Sequence, residues 1–374
     1  MIRGLALVLL IVLFLSPVAA QDDEDGIRYT IGGVTVTKEL VMTANYPVSL
    51  AFAPDGRLFY TEKTTGNVRV INTDGTRQTE PVITLPTSAL AERGMLGIAF
   101  DPGYAENGYI WVFHTREGTT TDWPANNVVR FREEGGTGSD PQVMLSVPVE
   151  TGALIHNGGN LHFDDAGLLY VTYGNLEDPA HSQDLSTIPG AIHRFAVTET
   201  GLEPAPDNPF EDSSIYAYGL RNAYDFAFDS TTDFVYATEN GQHCDDELNL
   251  IVAGFNYGAG PDYVCGNHTP GIEEATYLPP MLSFTPTIAP TAVIIYDHEA
   301  VPAWRDKLFF CAWNATQPLR LVTLNEARSN IADVEEVDLG ARRCRIDLTV
   351  GPDGALYYTT VDEIGGAIYR LVPD

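Results

Sequence analysis

One phrase recurs along the chain and constrains its fold more than any other feature: a short apolar strand, an Asp/Gly turn, then an aromatic-rich strand. It reads Leu50-Ala51-Phe52-Ala53-Pro54-Asp55-Gly56-Arg57-Leu58-Phe59-Tyr60 at its clearest. Further copies run from Leu96 to Phe113, Leu161 to Val171, Phe226 to Tyr236 and Leu348 to Tyr358, with a weaker one from Val293 to Trp313. Alternating apolar residues on either side of Asp-Gly specify hairpins of half-buried strands. Six such units, each with room for four strands, predict an all-β fold: a six-bladed β-propeller of four-stranded antiparallel sheets, whose radial closure leaves few exposed edges. An array of β-sandwiches is the alternative, but it calls for linkers. No Pro/Ser-rich linker interrupts the chain, and Glu133 to Asp140 reads as a long turn. One domain over residues 46–374 is expected.

The N-terminus reads differently. Arg3, the apolar run Leu5 to Leu15 and Val18-Ala19-Ala20 form the positive, hydrophobic and small-residue parts of an export signal cleaved after Ala20. The apolar run is too short for a membrane anchor, which needs about 20 residues. Residues 21–45 are then a lead-in to the propeller. A secreted or periplasmic protein with four cysteines and no CxxC pair favours disulfides over zinc. Cys244 and Cys265 share one loop-rich stretch, while Cys311 and Cys344 each lie beside a strand-like run, so the pairs Cys244–Cys265 and Cys311–Cys344 are expected. The 374 residues carry 21 Lys+Arg against 51 Asp+Glu, a formal net charge of -30, with 44% hydrophobic residues to form a core. Such a body repels nucleic acid and anionic lipid and leaves cations and neutral small molecules as partners.

Loops between repeats line the mouth of a propeller, so polar stretches there carry the chemistry. Four stand out. His156-Asn157-Gly158-Gly159 puts an imidazole ahead of a Gly pair, where it serves either as a base or as an ordinary loop histidine. Gly219-Leu220-Arg221-Asn222 offers a cation beside an amide, suited to an oxyanion or to a surface ion pair. Glu239 to Asn249, followed by Asn256-Tyr257-Gly258, gathers carboxylates in a Gly-containing loop, suited to Ca²⁺ or forming a plain acidic turn. Arg342-Arg343-Cys344-Arg345 is a conspicuous run of cations in so acidic a chain, suited to clamping carboxylates or to scattered ion pairs. No GxGxxG after a strand, P-loop, HExxH or GxSxG is present, which removes the usual support for nicotinamide, nucleotide and serine-hydrolase chemistry.

In this order, these stretches resemble the glucose/sorbosone dehydrogenase family, soluble quinoproteins that use pyrroloquinoline quinone (PQQ). The likeness runs from Tyr46 to Leu371 and includes Gly94-Met95-Leu96-Gly97 and Gly351-Pro352-Asp353-Gly354. It implies an aldose as the small-molecule substrate, oxidised at its anomeric hydroxyl to a lactone. It implies that His156 takes the hydroxyl proton, that Arg221 stabilises the oxyanion on the cofactor and that Asn222 helps hold the cofactor. One Ca²⁺ would bind the carbonyls of Gly241 and Gln242, and a second would bind Glu247 and the Tyr257 carbonyl. The chain also departs from the family pattern. Glu92 stands where Gln is common, Asn175 where an Asp orients the His, Asn314 where a cofactor-binding Lys is found, and Gln242 where Pro is usual. Arg343 and Arg345 are the clamps nearest the family's Arg pair, one residue out of register. Two other readings stand beside this one: a catalytically inactive, Ca²⁺-stabilised propeller that binds carbohydrate or protein, and a metal-dependent lactonase, also a propeller chemistry.

Overall fold

The computed structural model describes residues 25–150, 152–266, 273, 276–363 and 365–374; the export signal expected over 1–20 lies outside them. Each repeated phrase becomes the two inner strands of one antiparallel sheet. The innermost strands are Pro47–Phe52, Met95–Phe100, Leu161–Phe163, Ala223–Phe228, Pro290–Tyr296 and Leu348–Val350, one to each of six blades around a common axis. The Asp/Gly turns behave as the sequence requires: Gly56, Gly167 and Gly354 have φ of 86°, 80° and 77°, the left-handed region open to glycine at low cost. Four blades have four strands. The third gains a fifth from Ile215–Tyr218, and the sixth is built from both ends of the chain.

That sixth blade closes the ring. Val34–Ala44, within the stretch expected to be a lead-in, pairs antiparallel with Gly365–Pro373 from Val36↔Pro373 to Ala44↔Gly366, and Arg28–Ile31 adds a further strand outside it. Aromatic and aliphatic side chains then fill the wedges between blades, with Trp111, Phe113, Tyr60 and Trp304 fully buried. Among the described residues, no helix is long and apolar enough to cross a membrane.

Four of the six blade joints are stitched at one repeated position. The ladders align Leu50↔Tyr60, Ile98↔Val112, Leu161↔Val171, Phe226↔Ala237, Val293↔Phe310 and Leu348↔Tyr358. The residue following the second member of each pair is Thr61, Phe113, Thr172, Thr238, Cys311 or Thr359. Thr61 accepts from the Ser49 amide (3.0 Å) and donates to the Leu96 carbonyl of the next blade (2.6 Å). Thr238 likewise donates to Thr291 (2.5 Å) and Thr359 to Val48 (3.4 Å). In the fifth blade Cys311 takes this place, and its disulfide to Cys344, just ahead of the sixth blade's inner strand, spans the same joint (Cα–Cα 5.6 Å). Cys244 and Cys265 are also paired, so both expected bridges are present.

Replacing Cys311 and Cys344 together should therefore lower the unfolding free energy by about 2–5 kcal/mol. Cys311→Thr/Cys344→Ser should recover about 1 kcal/mol relative to the double alanine variant, because threonine restores the hydroxyl clasp. Urea unfolding measures both; equal stability of the two variants would count against the clasp.

Candidate active site

The six inner strands leave a cavity of about 360 Å³ at one mouth of the propeller, within the size range of small-molecule sites. Its floor is one residue per blade at a single register: Val48, Leu96, Gly159, Tyr224, Thr291 and Ile346. The walls are inter-strand loops. Glu92, Asn157, Gly158, Asn222, Asn240 and Asn314 come from stretches singled out in the sequence, while Lys63, Tyr46 and Trp313 were not anticipated.

His156 lies beside this wall, 8% exposed and in the left-handed region (φ 59°). Such a conformation is costly for a residue with a Cβ and is held by its surroundings. Its amide donates to Glu92 Oε2 (2.6 Å), and its carbonyl accepts from the Leu176 amide (3.2 Å). Gly158, two residues on, is obligatory: a Cβ there would lie 2.7 Å from the Thr172 carbonyl oxygen.

A hydrogen-bond chain assigns the imidazole's tautomer. Ser182 Oγ donates to the Leu220 carbonyl (2.8 Å) and so accepts from Asn175 Nδ2 (3.3 Å), which turns Asn175 Oδ1 toward His156 Nδ1 (2.9 Å). An amide oxygen only accepts, so Nδ1 carries the proton and Nε2 presents a lone pair. Nε2 is buried with no hydrogen-bond partner among the described residues. Burial and, secondarily, the nearby Arg221 charge depress the imidazole pKa to about 4, against the opposing pull of Asn175. The ring is therefore a neutral acceptor at physiological pH.

Arg221 comes from the next blade, where its amide and that of Asn222 both donate to Glu239 Oε1 (2.7 and 3.0 Å). Arg221 Nη1 donates to the Asn240 carbonyl (2.9 Å), and Asn222 Oδ1 accepts from the Gly158 amide (3.0 Å), tying the third blade's loop to the fourth. Arg221 does not line the central cavity. It lines a small adjoining pocket together with Glu239, Gly241, Gln242, Glu247 and Tyr257, so the four residues expected to bind metal converge.

That pocket suits a hard cation. Glu239 Oε2 is buried without a partner among the described residues. Desolvation pushes Glu239 up to about 7 and Glu247 up to about 8, and a divalent ion would reverse that penalty. The neighbouring carboxylates are already committed. Asp245 accepts from Tyr263, Thr285 and Ser283 hydroxyls (2.8, 2.9 and 3.2 Å), and Asp246 from the amides of Gly241, Ile288 and Ala289 (2.9, 2.6 and 2.6 Å).

The arginine run divides. Arg342 pairs with Asp362 (2.9 Å). Arg343 donates to the carbonyls of Gly340 (3.1 Å) and Thr316 (2.5 Å), and Arg345 donates to the Trp313 carbonyl (2.5 Å) with its guanidinium 5.6 Å from that ring. Neither Arg343 nor Arg345 lines the cavity; Trp313 and Asn314 stand there instead.

The family model described as "Glucose / Sorbosone dehydrogenase" matches residues 44–370. Aldose sugar dehydrogenase YliI of Escherichia coli is 26% identical over 351 residues, covering 88% of this chain and 90% of that protein. A solved structure from Thermus thermophilus, described as a putative oxidoreductase (glucose dehydrogenase), is 29% identical with a TM-score of 0.77, covering 90% of this chain and all of that one. The PQQ-bound aldose sugar dehydrogenase of Streptomyces coelicolor is 25% identical with a TM-score of 0.73, covering 91% and 98%.

The two raised carboxylates carry a pH signature. In the native state they hold protons at pH values where the unfolded chain, with ordinary carboxylates, has released them. Chelated protein should thus lose stability as pH rises from about 5 to about 8, the span between an ordinary carboxylate and the values near 7 and 8. Added Ca²⁺ should make this slope shallower, and Glu247→Gln should reduce it without Ca²⁺ while leaving the part due to Glu239. Thermal melts at several pH values in EGTA and in Ca²⁺ test this; a slope that Ca²⁺ leaves unchanged would count against cation binding in this pocket.

Proposed function

As a member of the glucose/sorbosone dehydrogenase family, the chain has a defined chemical context, and we propose that it is an exported, PQQ- and Ca²⁺-dependent dehydrogenase that oxidises the anomeric hydroxyl of an aldose to the lactone. The observation that carries this reading is His156, a neutral imidazole whose Nδ1 is capped by Asn175 and whose Nε2 lone pair is buried and unpartnered. Nε2 accepts the C1 hydroxyl proton as C1 loses hydride. When bound, the quinone supplies the two-electron acceptor and Ca²⁺ the Lewis acid beside it. Arg221 places its charge next to the base and the cavity, where it favours an oxyanion and disfavours early protonation of His156. Glu92, Asn222 and Asn314 would contact the quinone from the cavity wall, and Gly241, Gln242, Glu247 and Tyr257 would hold the ion. Arg343 and Arg345 support the loop that presents Trp313 and Asn314.

Asn175 sets the strength of this base. A carboxylate there would stabilise the imidazolium by charge; the amide offers a hydrogen bond alone. His156→Ala should lower turnover by ~10²–10⁴-fold. Asn175→Asp should raise turnover or leave it unchanged, and should move the acidic limb of kcat/KM upward from about 4, the value for the native imidazole. The deciding assay is dye-coupled oxidation of a panel of aldoses by protein reconstituted with PQQ and Ca²⁺. If no sugar is oxidised and the quinone does not bind, an inactive, carbohydrate- or protein-binding propeller replaces this reading; the neutral Asn175 and Asn314 are the residues that would favour it.

A further inference from the structure

Lys63 is one of three lysines in the chain and, among the described residues, the one cationic side chain that lines the central cavity. It follows the second strand of the first blade, Leu58–Glu62, and is 8% exposed. Its stem crosses the backbone at Gly94, where a Cβ would come within 2.5 Å of Lys63 Cγ. The ammonium has three donors, and the structure assigns one of them, to the Ala89 carbonyl at 3.3 Å; the nitrogen also lies 5.1 Å from the centre of the Tyr46 ring. Glu92, on the same wall, acts on the ammonium only from beyond ion-pair distance and spends Oε2 on the His156 amide. A buried ammonium with unspent donors facing a cavity is costly unless the occupant is anionic. Other candidates for that role are turned away or neutral: Arg343 and Arg345 hold loop carbonyls, and position 314 is Asn.

We infer that Lys63 is the anion anchor of the cavity, binding a carboxylate of its occupant. The inference rests on the proposed reading, in which that occupant is PQQ, a ring system bearing three carboxylates. Charge-assisted hydrogen bonding then gives affinity and fixes which edge of the ring faces the first blade.

The test is a binding titration, read by quinone absorbance and protein fluorescence in Ca²⁺, with PQQ and with the uncharged ortho-quinone 1,10-phenanthroline-5,6-dione. Lys63→Met keeps the stem and removes the charge. It should weaken PQQ about 10–100-fold, leave the neutral quinone's affinity unchanged and leave the melting temperature near native; Lys63→Arg should retain most of the PQQ affinity. A second measurement needs no variant: PQQ with Ca²⁺ should slow acetylation of Lys63 relative to Lys307, read by peptide mass mapping. Native PQQ affinity in Lys63→Met, equal weakening of both quinones, or unprotected Lys63 in PQQ-saturated protein would overturn the anchor and leave the dehydrogenase reading standing. Failure of native protein to bind PQQ would overturn both.

Discussion

Ring closure is the constraint on which everything else depends. The backbone ladder between Val34–Ala44 and Gly365–Pro373 joins residues from near the two ends of the chain into one blade. Without it, the outer edge of Gly365–Pro373 would be open, the packed faces of the first and sixth blades could separate, and the cavity floor, made of one residue per blade, would lose its geometry. The hydroxyl clasps at Thr61, Thr238 and Thr359 and the Cys311–Cys344 bridge then fix the spacing of successive inner strands. Loops carried on strands held in this way are rigid enough for a left-handed His156 to persist.

Two buried polar atoms of the site are placed where a ligand would relieve their burial. His156 Nε2 and Glu239 Oε2 are buried polar atoms without partners among the described residues, and such atoms are rare in folded proteins. They occupy adjacent positions across the third and fourth blades, linked through Asn222 and the Gly158 amide. Desolvation acts in opposite directions on the two groups, keeping the imidazole neutral and raising the carboxyl pKa. The imidazole and the acidic pocket thus share one low-dielectric region, and the Arg221 charge acts on both.

Much of this was legible in the chain. The six repeats were marked because strand alternation and Asp-Gly turns are short-range signals, each contained in about a dozen residues. Both disulfides followed from the placement of four cysteines beside strands and in one loop. His156, Arg221 and the acidic loop were visible as polar residues between repeats, and Gly241, Gln242, Glu247 and Tyr257, grouped by resemblance, line one pocket. Lys63 gave no comparable signal, because one basic residue after a strand is ordinary surface in any sequence.

By itself, then, the sequence determined the strands, the turns, the number of blades and the loops bearing chemistry, all properties of local pattern. Tertiary structure decided how each of those side chains is used. It assigned residues 28–44 to the closing blade, because only the assembled ring offers the free edge of Gly365–Pro373. It gave Asp245 and Asp246 to hydroxyls and backbone amides of a segment roughly forty residues away, while Glu239 Oε2 has no partner among the described residues. It turned Arg343 and Arg345 toward loop carbonyls and brought Lys63 to the cavity instead. The physical reason is the same in each case: a polar group's partner is fixed by what lies opposite it across a blade junction, and that neighbour is remote in the chain.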